Sequence, residues 1–182
     1  MTDFTYLDNY ENRLQETLLQ MASDKGFLAH NMLITDDFDE LWHSSLVVPY
    51  LRVAINDFAQ YPTVAIGWAA YLGMAVAYGW DADWETTRQM PLESYYGVRG
   101  WDDLDDYVVV NVLQLALDSE DAKQLTAVIR TLAETALHYL KKEDIEPQSE
   151  LAFHTFARTV KVLYHVGVAI GLKRLGYELV KM

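Results

Sequence analysis

The eighteen residues TVAIGWAAYLGMAVAYGW, Thr63 to Trp80, carry no charge in a chain whose formal net charge is −13. Within them Ala65, Ala69, Gly73 and Ala77 recur at every fourth position. On a helix these residues form a continuous groove of small side chains along one side. Rows of that spacing interdigitate in the commonest class of helix packing, with axes crossing at about −50°. Gly167 and Gly171, in GVAIG near the C-terminus, supply a matching small pair. The expectation is two helices that cross at short distance in the middle of the domain. A transmembrane span is the rival reading, because a bilayer needs about 20 apolar residues. Here the large aliphatics are only Val64, Ile66, Leu72 and Val76, plus Met74. No flanking Lys or Arg sets an orientation, and Asp81 and Asp83 follow directly. A membrane is therefore not expected as a partner.

Outward from this run, apolar spacing at three and four residues dominates, and it predicts a single all-α domain over 1–182, a bundle of about six helices. A first helix is expected from Asp8 to Ser23, stopped by Gly26. A second begins after Thr35, with the acids of TDDFDE in its first turn, and runs towards Ala59; Pro49 should kink it or split it in two. The uncharged run is the third, entered through Pro62. A fourth starts near Trp101 with DDLDD and continues as YVVVNVLQLAL. The fifth, Ser119 to about Lys142, has its stripe at Leu125, Val128, Ile129, Leu132, Ala136, Tyr139 and Leu140. The sixth runs from Ser149 to about Leu175, before Gly176. Between the third and fourth lies an irregular segment, DADWETTRQMPLESYYGVRG, Asp81 to Gly100.

Composition narrows the function classes. The chain has no cysteine, which excludes disulfides, thiolate metal sites and cysteine nucleophiles. MTDFTYLDNYENRL at the N-terminus has neither the basic nor the apolar region of a secretory signal, so the expected location is cytoplasmic. The protein is acidic and its charge is uneven: eighteen acids and five bases precede Tyr107, and nine of each follow. Without clustered Lys and Arg, nucleic acid is not an expected partner.

Glu40 and His43 form an E-x-x-H pair, which places a carboxylate and an imidazole on one helix face. Ferritin-like di-iron bundles use two such pairs with two further glutamates, and this chain resembles them in these four residues alone. Val47, Leu51, Ala54 and Phe58 continue the same stripe, so the pair would face inward if the helix passes Pro49 without turning. Glu134 with His138, and Glu150 with His154, read as surface pairs; the second shares its face with Arg158, Lys161 and His165. Asp81, Asp83 and Glu85 open like an EF-hand loop, but Thr86 and Leu92 occupy the positions that require Gly and Glu. The aromatic segment supplies Trp84, Tyr95, Tyr96, Arg99 and Trp101, residue types enriched at interface hot spots. The competing role for its Trp and Tyr is to close the ends of the apolar helices. No nucleophile elbow, phosphate-binding loop or dinucleotide fingerprint is present.

Three readings follow. The first is a non-enzymatic interaction or assembly module, a homodimer or binder of a protein partner, using the aromatic segment. The second is a metal-dependent helical-bundle enzyme with Glu40 and His43 as ligands. The third is a small-ligand binder at the aromatic segment. The sequence names no cofactor.

Overall fold

The uncharged run lies wholly within one helix of the computed structural model, which describes residues 4–28 and 35–177. The helical segments are α1 (Phe4–Asp24), α2 (Asp36–Leu41), α3 (Val47–Phe58), α4 (Pro62–Thr87), α5 (Leu104–Tyr107), α6 (Glu120–Lys142) and α7 (Glu150–Arg174). A π turn, Trp42–Leu46, fuses α2 to α3, and a second, Val108–Val112, extends α5. The result is an all-α bundle of six helices. Among the described residues the only extended pairing is an isolated bridge between Gly97 and Gly100, and no helix is long and apolar enough to cross a membrane.

α4 and α7 form the central crossing. The small residues govern their distance. A methyl group on Gly73 would overlap the Tyr164 carbonyl oxygen and lie 2.7 Å from the Val168 nitrogen. One on Gly167 would overlap the Ala70 carbonyl, and one on Gly171 would sit 2.9 Å from the Ala77 Cβ. The two backbones are thus in direct contact. The run is bland because α4 is covered on every side: each residue from Ala65 to Ala77 except Trp68 is buried. α1 and α6 pack on α7, while α3 and α6 pack on α4.

Local chemistry explains the helix ends. Ser119 and Ser149 accept hydrogen bonds from the amides of Ala122 and Ala152, which caps α6 and α7. Gly26 (φ 84°) and Gly176 (φ 91°) turn the chain after α1 and α7 with positive φ, a conformation that costs glycine little.

Four sequence expectations are corrected. At Pro49 the winding stays helical, and the departure from α geometry falls just before it. The π turn immediately before it, with Val47 N–H bonded to the Trp42 carbonyl, widens the spiral where the proline ring would otherwise meet the preceding turn. The turn also rotates α3 relative to α2. Phe38, Trp42, Leu46, Tyr50 and Ala54 are all buried, a strict spacing of four that would drift by about 40° per step on a regular α-helix.

The irregular segment begins later than expected, because α4 continues to Thr87. Asp83 leaves helical geometry (φ −164°, ψ 89°), and its carboxylate caps the turn beyond, accepting from Thr86 N at 3.2 Å and Thr86 Oγ1 at 2.8 Å. The fourth helix is shorter than expected: regular winding stops after Val112, and Gln114 takes a positive φ of 59°. Its β-branched run, Val108 to Val110, is wound as a π turn, not as a strand. Finally, Arg158, Lys161 and His165 do not form a plain surface face.

Candidate functional site: two clefts and a polar seam

The aromatic segment is folded onto the core. Tyr95 and Trp101 are 4% and 8% exposed, Trp84 and Tyr96 are half-buried, and Arg99 is exposed. Three indoles are anchored by hydrogen bonds. Trp101 donates to Asp57 Oδ2 at 2.6 Å, Trp68 to the Trp101 carbonyl at 2.9 Å, and Trp80 to Asp37 Oδ2 at 3.0 Å. Trp101 meets Tyr50 and Tyr96 edge-on. Arg99 is occupied as well: its side chain and its own backbone N–H clasp the buried Asp103 carboxylate, which the guanidinium holds below its usual carboxylate range. The clasp closes the turn Gly97–Gly100, with Val98 fully exposed at its tip.

Glu40 and His43 are both exposed, because the π turn separates their face from the buried stripe of α3. Among the described residues no three His, Asp or Glu side chains converge on a metal position. His43 leans on Asp39 instead, at 3.6 Å.

Asp39 belongs to a feature that the sequence pattern did not announce. Along α7, Arg158, Lys161 and His165 face the acids of α1 and α2. Arg158 meets Asp8 at 2.7 Å and Glu11 at 3.3 Å, Lys161 meets Glu11 at 3.4 Å, and His165 Nε2 lies 3.2 Å from Asp39 Oδ1. Beside them Tyr10 donates to Thr159 at 2.7 Å, since Thr159 gives its own proton to the Thr155 carbonyl. His165 is 8% exposed, and burial together with Lys161 pushes its pKa below the usual imidazole value against the pull of Asp39 and Glu11. The signal available in the sequence is the spacing 158, 161, 165, which is helical and set within an otherwise apolar helix.

Two of the open clefts among the described residues bear on function. The larger, about 610 Å³, lies where the end of α3 meets the α6–α7 connection. Phe58 and Phe156 line it with their rings edge-on at 5.1 Å, and Ile55 and Phe153 border it at 43% exposure each. The smaller, about 210 Å³, lies between α4, α5 and α6 and is mixed in character: Trp68, Tyr71, Asp105, Thr126 and Arg130 contribute to its walls. Burial raises the pKa of the Tyr71 hydroxyl to about 12, against the pull of the neighbouring Thr126. Burial, reinforced by the neighbouring Asp106, raises the Asp105 carboxyl from 3.8 to about 6. From sequence alone Asp105 reads as one more acid of a solvated helix start.

No known protein family, no curated protein and no solved structure matches this chain.

Proposed function

We propose that this is a cytoplasmic, non-enzymatic assembly module that pairs with a second copy of itself through the 610 Å³ apolar cleft. The observation that carries this reading is the exposure of Ile55 and Phe153 beside a hollow lined by Phe58 and Phe156. Exposed apolar surface around a concavity marks an interaction site. A twofold axis brings the same patch of each copy together, so a patch with both protrusions and a hollow is self-complementary. Charge favours the same partner. The net charge resides in residues 1–106, whereas the cleft is built largely from the balanced remainder. Around it Lys141, Lys142, Asp144 and Glu146 are exposed with both signs, which a twofold axis can pair. This reading moves the contact surface away from Tyr95 and Trp101, whose burial ties them to folding.

Sedimentation equilibrium tests the reading. The parent is expected at twice 20.9 kDa, and an Ile55→Glu/Phe153→Glu variant at the monomer mass with an unchanged circular dichroism spectrum. A parent that stays monomeric at about 100 μM, far above the affinity of a specific homodimer, refutes it, as does a folded variant that assembles like the parent.

A further inference from the structure

The smaller cleft differs from the seam along α7 in what it leaves unmatched. In the seam along α7 the charged groups meet opposite charges, whereas in this cleft they do not. Asp105 is half-buried beside Asp106, with no cation paired to it among the described residues, and Arg130, exposed at the rim on α6, forms no ion pair among them either. The neutral groups, by contrast, are already fixed. Trp68 is held through its indole N–H by the Trp101 carbonyl, and the Tyr71 ring meets it edge-on at 5.6 Å. Gly67 adds no side chain to the lining, which leaves room along the face of α4.

We infer that this cleft binds a small zwitterion of amino-acid size, with its ammonium group at Asp105, its carboxylate at Arg130 and its carbon skeleton against Trp68. Size sets the first limit: about 210 Å³ is below the roughly 300–1,000 Å³ of sites for drug-sized ligands. Charge sets the second. A simple anion would satisfy Arg130 but meet the negative pair Asp105 and Asp106. A simple cation would satisfy Asp105 but meet Arg130. A molecule carrying both charges satisfies each group with a charge-assisted hydrogen bond. Its ammonium supplies the counter-charge that the Asp105 carboxylate lacks. Binding therefore requires Asp105 ionised. Asp106 and Asp103 on its own segment bear on its proton, and Tyr71 on α4 and Arg130 on α6 are the other titratable or charged groups lining the cleft.

Saturation-transfer NMR on the intact protein tests this, using the standard L-amino acids and β-alanine, each with its methyl ester and N-acetyl derivative. At least one zwitterion is expected to bind, while the ester, which lacks the anion, and the N-acetyl compound, which lacks the cation, do not. Asp105→Asn and Arg130→Gln should each weaken binding by about tenfold or more, in variants whose circular dichroism matches the parent. Affinity in the parent should fall as pH drops through about 6. No zwitterion binding at about 10 mM, far weaker than a specific site, overturns the inference. So does equal binding by parent and both variants, or by a zwitterion and its blocked derivatives.

Discussion

Gly73 and Gly67 lie on the same helix, six residues apart, and Gly→Ala should change stability in opposite directions at the two positions. By propensity alone each change favours the helix by about 1 kcal/mol. At Gly67 the new methyl would sit 3.4 Å from the Ala133 Cβ, an ordinary contact, so the propensity gain survives and the variant is neutral to about 1 kcal/mol more stable. At Gly73 the methyl would overlap the Tyr164 carbonyl oxygen and approach the Val168 nitrogen to 2.7 Å. Both are backbone atoms of α7 and cannot swing aside as a side chain would. Restoring ordinary contact with that oxygen takes an outward shift of more than about 1 Å, a gap that forfeits about half or more of the dispersion attraction along the crossing. Overpacking of this kind costs about 3 kcal/mol, which leaves a net loss of about 2 kcal/mol after the propensity gain. For a chain of this length, that lowers the melting temperature by about 4–8 °C. Urea denaturation followed by circular dichroism, with the m-value checked for constancy, measures both changes. A Gly73→Ala variant as stable as Gly67→Ala would refute the close-crossing argument, whatever the absolute values.

Two further outcomes concern pH. The folded-state pKa of His165 lies below its unfolded value of about 6.5, so as pH falls below 6.5 the unfolded chain binds a proton that the folded chain refuses. Between pH 7.5 and 5.5 the parent should therefore lose stability relative to His165→Gln; the same pH dependence in the two proteins would refute the assignment. Asp105 behaves in the opposite sense. Its folded pKa of about 6 exceeds the ordinary 3.8, so its contribution is present below 3.8 and is lost as pH rises through 6. The full shift corresponds to about 3 kcal/mol, and partial solvent access reduces this to about 1–2 kcal/mol. Asp105→Asn should be more stable than the parent by that amount at pH 7.5, with the advantage gone near pH 4, as urea midpoints at the two pH values will show.

The legible parts of the fold are those fixed by neighbours in sequence. Ser119 and Ser149 cap their helices through amides three residues on, and Gly26 and Gly176 turn the chain with their own φ angles. The crossing of α4 and α7 was also legible, although it joins distant segments, because a groove of small residues states its requirement on each partner separately. The π turns were not. Nothing within Trp42–Leu46 departs from α-helical composition, and the shift to i→i−5 bonding is selected by packing. The trace it leaves is the strict four-residue spacing of Phe38, Trp42, Leu46, Tyr50 and Ala54. Without that turn, regular winding puts Glu40 and His43 on the wrong face. The aromatic segment was open to two readings because Trp and Tyr serve a core and a contact surface equally well. The Trp101–Asp57 bond, spanning 44 residues, is tertiary information.

The two polar clusters of this protein make opposite physical demands, and the contrast locates its chemistry. Along α7 the charges are matched across helices, so that Glu11 serves both Arg158 and Lys161 and Asp39 lies within reach of both His165 and His43. Removing one member leaves a partly buried charge without its counterpart, and the seam thereby fixes how α1 and α2 sit on α7. Between α4, α5 and α6 the energetics run the other way. Asp105 weakens the fold at neutral pH by being ionised where it is partly buried, and substituting asparagine would relieve that at almost no steric cost. A carboxylate that costs stability at neutral pH is what the proposed occupant, with its positive charge, would relieve. The same reasoning separates the two clefts. In the proposed dimer the apolar one would lose exposed hydrocarbon, a gain that depends on protein concentration; with the proposed ligand the polar one would gain a counter-charge, a gain that depends on ligand and on pH. The proposed assembly and ligand binding would therefore be separable, and Ile55→Glu/Phe153→Glu should abolish the first while leaving the second intact.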